Sequence, residues 1–294
     1  MTRSAAATVL ALAAGAAVVG ESDPALLPGW AAEDHAAALA ATESACGCDA
    51  RALLERRYVA GEPVPAFVTG YFEPEIAAAR APRPGWVPLH GLPGDPRALR
   101  LTRAEIAAGA LEGRARALYW LADPVDAFFL HVQGSGRLRL PDGTTVRVGY
   151  AGRNDHPYRS IGRVLVEREG LDPAEMTADR LAAWLRADPA RGRALMNENP
   201  SYIFFREAEG LPAGSGPIGA AGVPLTPLRS VALDPEHHAP GGLFWLETTL
   251  PDGAPFRRLV VAQDTGSAIR GPGRVDLFFG SGPEAGRAAG RMRA

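Results

Sequence analysis

The sequence predicts a mainly β protein with flanking helices, and three observations support this fold class. The 294 residues include 34 glycines and 26 prolines without a collagen-like repeat, which favours frequent turns over long helices. Pro-Asp-Gly occurs at 141–143 and again at 251–253, each time between runs of alternating polarity that are typical of β-hairpins. From residue 202 onward the apolar runs are short and bounded by turn residues, as strands are.

Charge and composition exclude several kinds of chemistry. The apolar fraction of 47% is sufficient for a globular core. The formal net charge is −2, so the chain lacks the positive surface that binds nucleic acid. All 31 basic residues are arginine, so neither a Schiff-base lysine nor the lysine of a phosphate-binding P-loop is available.

The first residues have the pattern of a secretory signal. Arg3 precedes the apolar run Ala5–Val19, which ends in small residues and is short for a membrane span. We therefore expect residues 1–20 to be a signal peptide, which implies export. Cys46 and Cys48 are the only cysteines, and neither directly follows the apolar run, so the sequence does not indicate a lipid-attachment site there.

The first half of the chain alternates between helical and extended patterns. We expect Ala-rich helices between Pro24 and Arg57, followed by a strand over 64–73 that Pro74 ends. The Gly- and Pro-rich segment 80–100 is a candidate domain boundary. The remaining predictions are a helix from the capping box Thr102–Glu105 to Arg116, a strand over 118–121, a turn over 123–126 and a β-rich stretch that begins with the apolar run 127–133.

The second half contains one helical region between two β-rich regions. A hairpin is predicted over 137–150, and helical periodicity extends from 158 to 195. The C-terminal strands are predicted at 202–205, 230–233, 243–249, 258–262 and 275–279. A Gly-rich loop over 214–222 precedes most of them; it lacks lysine, so its glycines are best explained as turn residues.

Common hydrolase motifs are absent from the sequence. None of the six histidines forms an H-E-x-x-H motif, and the cysteines lack the spacing of a zinc site, so we predict no metal. The sequence also has no G-x-S-x-G elbow, which argues against a serine α/β-hydrolase.

Three aspartates in apolar C-terminal runs are the strongest chemical signal. Asp234 and Asp264 each follow an apolar run, and they could simply cap the ends of strands. Asp276 is harder to explain in that way because Val275 and Leu277 flank it. Since burial disfavours a charged carboxylate, Asp276 would have a raised pKa and could act as a general acid.

Five motifs in order resemble the membrane-bound lytic murein transglycosylase A (MltA) family. Two of them, at 226–234 and 264–280, contain all three aspartates and resemble its three-aspartate (3D) domain. The other motifs are Thr-Gly-Tyr-Phe-Glu-Pro at 69–74, Val-Gln-Gly-Ser-Gly at 132–136 and Met-Asn-Glu-Asn-Pro-Ser-Tyr-Ile-Phe-Phe at 196–205. The resemblance extends from about Leu27 to Gly290.

The resemblance implies a fold with two domains. The larger would be a double-psi β-barrel built from residues 21–78 and 196–294. A second, smaller β domain over 79–195 would be inserted into it. In this family the substrate groove lies at the junction of the two domains.

The resemblance also implies roles for residues at matching positions. Asp276 would be the catalytic residue, supported by Asp264 and Asp234. Residues of two motifs would bind substrate in the groove, and Ser201 of a third would join them. These substrate-binding residues are Thr69, Gly70, Tyr71, Glu73, Gln133, Gly134 and Gly136. The family uses no cofactor.

The implied activity is cleavage of the β-1,4 bond between N-acetylmuramic acid and N-acetylglucosamine in peptidoglycan, with formation of a 1,6-anhydromuramyl end. A single carboxyl would act first as acid and then as base. Glycoside hydrolysis on the same scaffold and a non-catalytic, expansin-like glycan-binding module remain alternatives. We expect a monomer in the periplasm, with outer-membrane association left open, whose partners are glycan strands and other cell-wall synthesis or hydrolysis proteins.

Overall fold

The computed structural model describes residues 7–14, 22–42, 49–212 and 214–294. Both cysteines, and residues 1–6 and 15–20 of the predicted signal peptide, lie outside the described residues. The chain divides into two compact units. The first unit comprises Met1–Phe72, Gly214–Gly280 and Glu284–Ala294, and the second comprises Glu73–Ala213 and Ser281–Pro283.

Strands dominate the described residues, as the sequence predicts. In chain order they are β1 (Thr8–Ala14), β2 (Tyr58–Ala60), β3 (Val64–Pro65), β4 (Phe67–Glu73), β5 (Glu75–Ala79), β6 (Val87–His90), β7 (Ala117–Leu121), β8 (Ser135–Arg139), β9 (Thr145–Arg153), β10 (Ile203–Glu207), β11 (Ser230–Ala232), β12 (Leu243–Thr249), β13 (Pro255–Asp264) and β14 (Arg274–Ser281).

Short helices connect and flank the strands. They are α1 (His35–Ala41), α2 (Ala50–Arg57), α3 (Arg103–Ala107), α4 (Pro124–Gln133), α5 (Ile161–Glu169), α6 (Ala178–Ala187), α7 (Pro189–Asn197) and α8 (Gly282–Ala289). Single 3-10 turns occur at Pro24–Leu26, Trp30–Ala32, Pro96–Arg100 and Pro173–Glu175. In the described parts of the chain, no helix has the length and apolar character needed to cross a membrane.

The first unit is built on an eight-stranded sheet. Its strand order is β2-β1-β12-β13-β11-β14-β4, and β3 pairs separately with β1. β11 runs parallel to β13 and antiparallel to β14. Among the described strands this path ends at β2 and β4, so the pairing does not confirm the double-psi β-barrel that the resemblance implies.

Both faces of this sheet are covered by apolar side chains. Val260 of β13 and Leu277 of β14 belong to a cluster on one face. The next residue of β13, Val261, belongs with Trp245 to a cluster on the other face. This division follows from the alternation of side chains along a strand.

Part of the predicted signal peptide forms a strand in the structure. Within the predicted signal peptide, Thr8–Ala14 forms β1, which pairs with β12 from Thr8↔Glu247 to Leu12↔Leu243. Val9 packs into one apolar cluster, and Leu10 packs into the other. An apolar run of this length fits a strand buried on both faces as well as it fits a signal, and composition does not separate the two.

The second unit contains a six-stranded sheet and a layer of helices. The strand order is β10-β9-β8-β5-β7-β6. One apolar cluster lies on this sheet and includes Leu89, Tyr119 and Leu138. Another cluster joins α4 to the helices α5, α6 and α7 and includes Phe128 and Leu165.

The prediction of a β-rich stretch starting at 127–133 is wrong, because this segment forms the main part of α4. Asp123 is its N-cap and accepts a hydrogen bond from the Val125 N–H, and Pro124 occupies the first turn. Both residues favour a helix start as strongly as a turn. Gly134, with φ of 79°, ends the helix in the left-handed conformation.

The boundaries of the second unit also differ from the predicted 79–195. The unit begins at Glu73, and it includes β10 because this strand pairs with β9 rather than with the first sheet. The capping box of Thr102 and Glu105 is present, but α3 ends at Ala107, short of the predicted Arg116.

Substitutions in β1 test whether this strand is part of the fold. Leu10 is 5% exposed, so Leu10→Ala should lower the free energy of unfolding by about 2–5 kcal/mol through lost burial and a cavity. Ala11 is exposed, so Ala11→Ser should change it by less than about 0.5 kcal/mol. Urea unfolding measures both values. Equal stability of Leu10→Ala and the parent chain would contradict the placement of β1 in the sheet.

Candidate active site

Asp276 lies in the middle of β14, on the face opposite to an apolar cluster. Its neighbours Val275 and Leu277 are fully buried in that cluster. Strand alternation therefore directs the Asp276 side chain to the other face, where it is half-buried. The carboxyl thus combines an apolar setting with partial access from outside.

Two side chains form a chain of hydrogen bonds to Asp276. The Thr69 hydroxyl donates to Asp276 Oδ1 at 2.5 Å, and Arg274 Nη2 donates to Thr69 Oγ1 at 2.8 Å. Because the Thr69 oxygen accepts from Arg274, the Thr69 proton is available for the carboxylate. The guanidinium of Arg274 lies 5.1 Å from the centre of the Phe67 ring, which helps to fix its position.

The surroundings raise the pKa of Asp276 from 3.8 to about 6. Burial is the largest cause. The Thr69 hydrogen bond and the positive charge of Arg274 lower the pKa, while the Asp264 carboxylate raises it. Asp276 is therefore a carboxyl that can hold a proton in mildly acidic solution and release it near neutrality.

Asp264 lies on β13, across one intervening strand from Asp276. Ala232 of β11 is opposite Asp264 on one side and opposite Asp276 on the other. The β11–β13 register shifts between Val231 and Ala232, and such a bulge can redirect a side chain. The small Ala232 side chain separates the two carboxyls, in agreement with their electrostatic interaction.

Backbone donors hold the Asp264 carboxylate in place. Its Oδ1 atom accepts from the N–H groups of Thr265 at 2.9 Å and Ala220 at 3.0 Å. Burial raises the pKa of Asp264, and these backbone hydrogen bonds oppose that rise. Asp264 is thus tied to two loop segments.

Tyr71 follows Thr69 on the same face of β4. Its ring centre lies 5.3 Å from that of Phe278, and its hydroxyl is buried. Burial, and then the carboxylates of Asp264 and Asp276, raise the pKa of Tyr71 well above its usual range, so this phenol keeps its proton. Tyr71 therefore adds a neutral polar group beside the two carboxyls.

Gly70, between Thr69 and Tyr71, is required by close packing. An added Cβ would lie 2.6 Å from a ring carbon of Phe279 and 2.8 Å from Ala289 Cα. Only glycine fits at this separation, so Gly70 allows the chain to bring its two neighbours to their positions.

Asp234 has a different environment from the other two aspartates. It is 2% exposed and accepts hydrogen bonds from Gly271 N at 2.7 Å, Arg270 Nη1 at 3.1 Å and Glu236 N at 3.2 Å. The Gly271 N–H is the largest cause that lowers the pKa of Asp234. Asp234 is therefore an ionised anchor for the loop that leads into β14.

Glu73 lies within the second unit and is fully buried. Its Oε2 atom accepts from Arg137 Nε at 2.7 Å and from the Ser281 hydroxyl at 2.6 Å, and Arg147 Nε lies 3.9 Å from Oε1. The resemblance implies that Glu73 contacts substrate, but the structure leaves none of its surface accessible. Its carboxylate instead holds two arginines of β8 and β9 together.

The remaining predicted site residues all belong to the second unit. Gln133 and Gly134 end α4 and are partly exposed, which leaves surface for a ligand. Gly136 is buried, and an added Cβ would lie 2.5 Å from Leu130 Cδ1. Ser201 is 5% exposed, and its carbonyl accepts from Arg103 Nη2 at 2.7 Å. Gly136 and Ser201 thus support the local packing rather than offer a surface.

Comparisons with known proteins identify similar domains and structures. The family model described as the MltA specific insert domain matches residues 97–206, and the one described as the 3D domain matches residues 229–294. MltA from Neisseria gonorrhoeae has a crystal structure that is 30% identical with a TM-score of 0.79, over 97% of this chain and 94% of that one. This chain belongs to the MltA family. The motif resemblance found in the sequence is therefore confirmed.

Two further comparisons within the MltA family extend this result. The membrane-bound lytic murein transglycosylase A of Vibrio cholerae is 37% identical over 235 residues, which are 76% of this chain and 62% of the relative. The chain thus matches less than two thirds of that relative's length. Escherichia coli MltA with bound chitohexaose is 27% identical with a TM-score of 0.71, over 97% of this chain and 91% of that chain.

The sequence analysis did not single out three arginines that contact the predicted site residues Thr69 and Glu73. Arg274 precedes Asp276 by two positions, a spacing that places both side chains on one face of a strand. Arg137 directly follows Gly136, and Arg147 faces Arg137 across the β8–β9 pair. The spacing could have indicated Arg274, whereas the Arg137–Arg147 pairing depends on sheet register.

The hydrogen-bond chain predicts how the pKa of Asp276 responds to substitution. Asp276 should titrate with a pKa of about 6 by carboxyl ¹³C NMR. Thr69→Val removes a hydrogen bond to the carboxylate, so the pKa should rise above that value. Asp264→Asn removes a negative charge, so the pKa should fall. An unchanged pKa in both variants would contradict the described contacts.

The raised pKa of Asp276 also determines the direction in which the stability of the fold changes with pH. The folded pKa of about 6 exceeds the ordinary value of 3.8, so the folded chain binds this proton more tightly than the unfolded chain. The resulting stabilisation is complete below the ordinary pKa and is lost as the pH rises through the folded one. Asp276→Asn should lack this component of the pH dependence in unfolding experiments.

The buried carboxylate of Glu73 gives a separate prediction. Glu73→Gln removes the buried carboxylate that pairs with Arg137 and Arg147, so the free energy of unfolding should fall by about 3–5 kcal/mol. Glu175→Gln is a matched control, because the Arg180–Glu175 pair of the same unit is exposed and should contribute less than about 1 kcal/mol. Urea unfolding of both variants measures the difference. Equal effects would mean that Glu73 has no special role in the unit.

Proposed function

We propose that this chain is a peptidoglycan lytic transglycosylase that uses Asp276 as its single acid and base. It cleaves the β-1,4 bond between N-acetylmuramic acid and N-acetylglucosamine and leaves a 1,6-anhydromuramyl end. The observation that carries the proposal is the half-buried Asp276 carboxyl, whose pKa is about 6 and which has Thr69 as its hydrogen-bond donor. Membership of the MltA family supports the same activity.

In the first step, protonated Asp276 donates its proton to the glycosidic oxygen. The bond between this oxygen and C1 of the muramyl sugar then breaks, and N-acetylglucosamine leaves with a new hydroxyl. A pKa near 6 favours this step because a carboxyl with an ordinary pKa of 3.8 would rarely hold a proton at pH 6. The Thr69 hydrogen bond and the charge of Arg274 stabilise the carboxylate that results.

In the second step, the Asp276 carboxylate removes the proton from the C6 hydroxyl of the same muramyl sugar. The C6 oxygen bonds to C1, closes the anhydro ring and returns Asp276 to its protonated form. No water is consumed. Since the nucleophile belongs to the reacting sugar, a high effective molarity replaces the positioned water of a hydrolase.

The surroundings of the other aspartates favour this mechanism over hydrolysis. Inverting hydrolysis needs a second carboxylate that is free to activate water, about 6.5–9.5 Å from the first. Two backbone N–H groups already bind Asp264 Oδ1, and Asp234 accepts from three donors. A non-catalytic glycan-binding module has no need for the raised pKa of Asp276.

The family relatives support a glycan ligand and a place in the cell envelope. Chitohexaose, bound in the Escherichia coli relative, is a β-1,4-linked chain of N-acetylglucosamine, which supports peptidoglycan strands as the ligand. The name of the Vibrio cholerae relative supports an exported, envelope-associated protein, and the periplasm is the proposed compartment. The mechanism requires no metal or cofactor.

Product analysis separates the two catalytic mechanisms. The chain should release fragments from purified peptidoglycan whose masses are one water lower than those of hydrolysis products, without new reducing ends. Asp276→Asn should reduce the rate by at least about a hundredfold, since the only proton donor is lost. Mass spectrometry and a reducing-end assay measure these outcomes.

Asp264→Asn is the informative companion variant. In the single-carboxyl mechanism it should still form anhydro products, although the lower pKa of Asp276 would move the best pH downward. Reducing-end products that disappear in Asp264→Asn would instead indicate hydrolysis with Asp264 as base. Retained cleavage by folded Asp276→Asn would refute the assignment of Asp276.

A further inference from the structure

The second unit contains a cavity of about 430 Å³, and every residue that lines it belongs to that unit. This volume is in the range of small-molecule binding sites. The lining residues that matter here are Ile106, Leu111, Phe128, Arg103, His131 and Tyr202. No step of the proposed reaction uses this cavity.

Arg103 provides a buried positive charge in the cavity wall. Arg103 is 7% exposed, and its Nη2 atom donates to the Ser201 carbonyl at 2.7 Å. Its guanidinium carbon lies 4.8 Å from the ring centre of Phe128 and 5.3 Å from that of Tyr202. The Nε atom is buried without a hydrogen-bond partner.

Among the described residues, Arg103 has no carboxylate partner, unlike the buried Arg229 and the partly buried Arg137. Arg229 pairs with Glu33, and Arg137 pairs with Glu73. A buried charge without a counter-ion is unfavourable, and an anion in the cavity would relieve this cost.

The two histidines that line the cavity, His90 and His131, are neutral. Burial lowers the pKa of His90 to about 4, and it lowers the pKa of His131 well below its usual range. His131 Nδ1 accepts from the Ile203 N–H at 3.1 Å, so the proton of this neutral ring is on Nε2. Burial lowers the pKa of Arg103 only to about 10, so Arg103 remains charged at neutral pH.

We propose that this cavity binds a small organic carboxylate, whose charged group pairs with Arg103 and whose apolar body contacts Ile106, Leu111 and Phe128. A planar guanidinium matches the geometry of a carboxylate. Because the cavity offers one buried cation, a single negative charge fits it better than a phosphate dianion. The exposed side chains of Arg193 and Glu112 also line the cavity, and they carry opposite charges.

Isothermal titration calorimetry of the full chain with phenylacetate tests this proposal. Phenylacetamide is the matched neutral ligand, with the same ring and nearly the same shape. We expect saturable binding of phenylacetate and binding of the amide that is weaker by about tenfold to a hundredfold. Absence of saturable phenylacetate binding, or equal affinity for the amide, would overturn the proposal.

Two substitutions locate the binding in this cavity. Arg103→Met keeps an unbranched side chain between Phe128 and Tyr202 and should weaken phenylacetate binding by about tenfold to a hundredfold, with little change for the amide. Ala107 lines the cavity and is exposed, so Ala107→Phe should obstruct the ligand without disturbing the core. Ala104→Phe is its control, since Ala104 is exposed on the same helix but does not line the cavity.

Folding of each variant is checked by circular dichroism and thermal unfolding. If Arg103→Met does not fold, the pair Ala107→Phe and Ala104→Phe still decides the outcome. Unchanged phenylacetate affinity in folded Arg103→Met, or equal affinity in the two phenylalanine variants, would place the binding elsewhere and refute the cavity as its site.

Discussion

The pairing of β4 with β14 is the constraint on which the candidate active site depends. Thr69 and Asp276 are 207 positions apart in the chain, yet their side chains form a hydrogen bond because these strands are neighbours. The Phe67 N–H donates to the Gly273 carbonyl at 2.8 Å and helps to fix the register. A slip of one residue would turn Asp276 into the apolar cluster that holds Val275. The packing of one face therefore positions the chemistry on the other.

Three aspartates of one motif have three different protonation behaviours because their surroundings differ. Asp234 accepts hydrogen bonds from three donors, which lower its pKa and make it an ionised anchor. Burial raises the pKa of Asp264, and its backbone donors only partly offset this rise. Asp276 has one hydrogen-bond donor, and burial raises its pKa to about 6. The number of donors thus separates a structural carboxylate from a proton donor on the same sheet.

The sequence was sufficient to predict the C-terminal strands, the 137–150 hairpin and the family, because strand alternation and motif order are local properties. It did not predict β2, β5 or β6. It was not sufficient for β1 or α4. Each is a short apolar run that fits two structures, and only the packing partners decide between them. The burial of Glu73 could not be predicted from the sequence either, since its ion pairs are with Arg137 and Arg147 from two other strands. Arg274 is the exception, because its spacing from Asp276 already places the two side chains on one face.

The rule that a buried charge needs a partner explains the surroundings of the buried charged residues in each unit. Glu73 and Arg229 satisfy it by pairing with residues of opposite charge, and such pairs stabilise the fold rather than bind a ligand. Asp276 satisfies it differently: it holds a proton in mildly acidic solution, and when it is ionised Thr69 and Arg274 stabilise its charge. Arg103 cannot release its proton at neutral pH, and a carbonyl and two aromatic rings compensate only part of its charge. By the same rule, the cavity beside Arg103 is the place where an external anion would complete the structure.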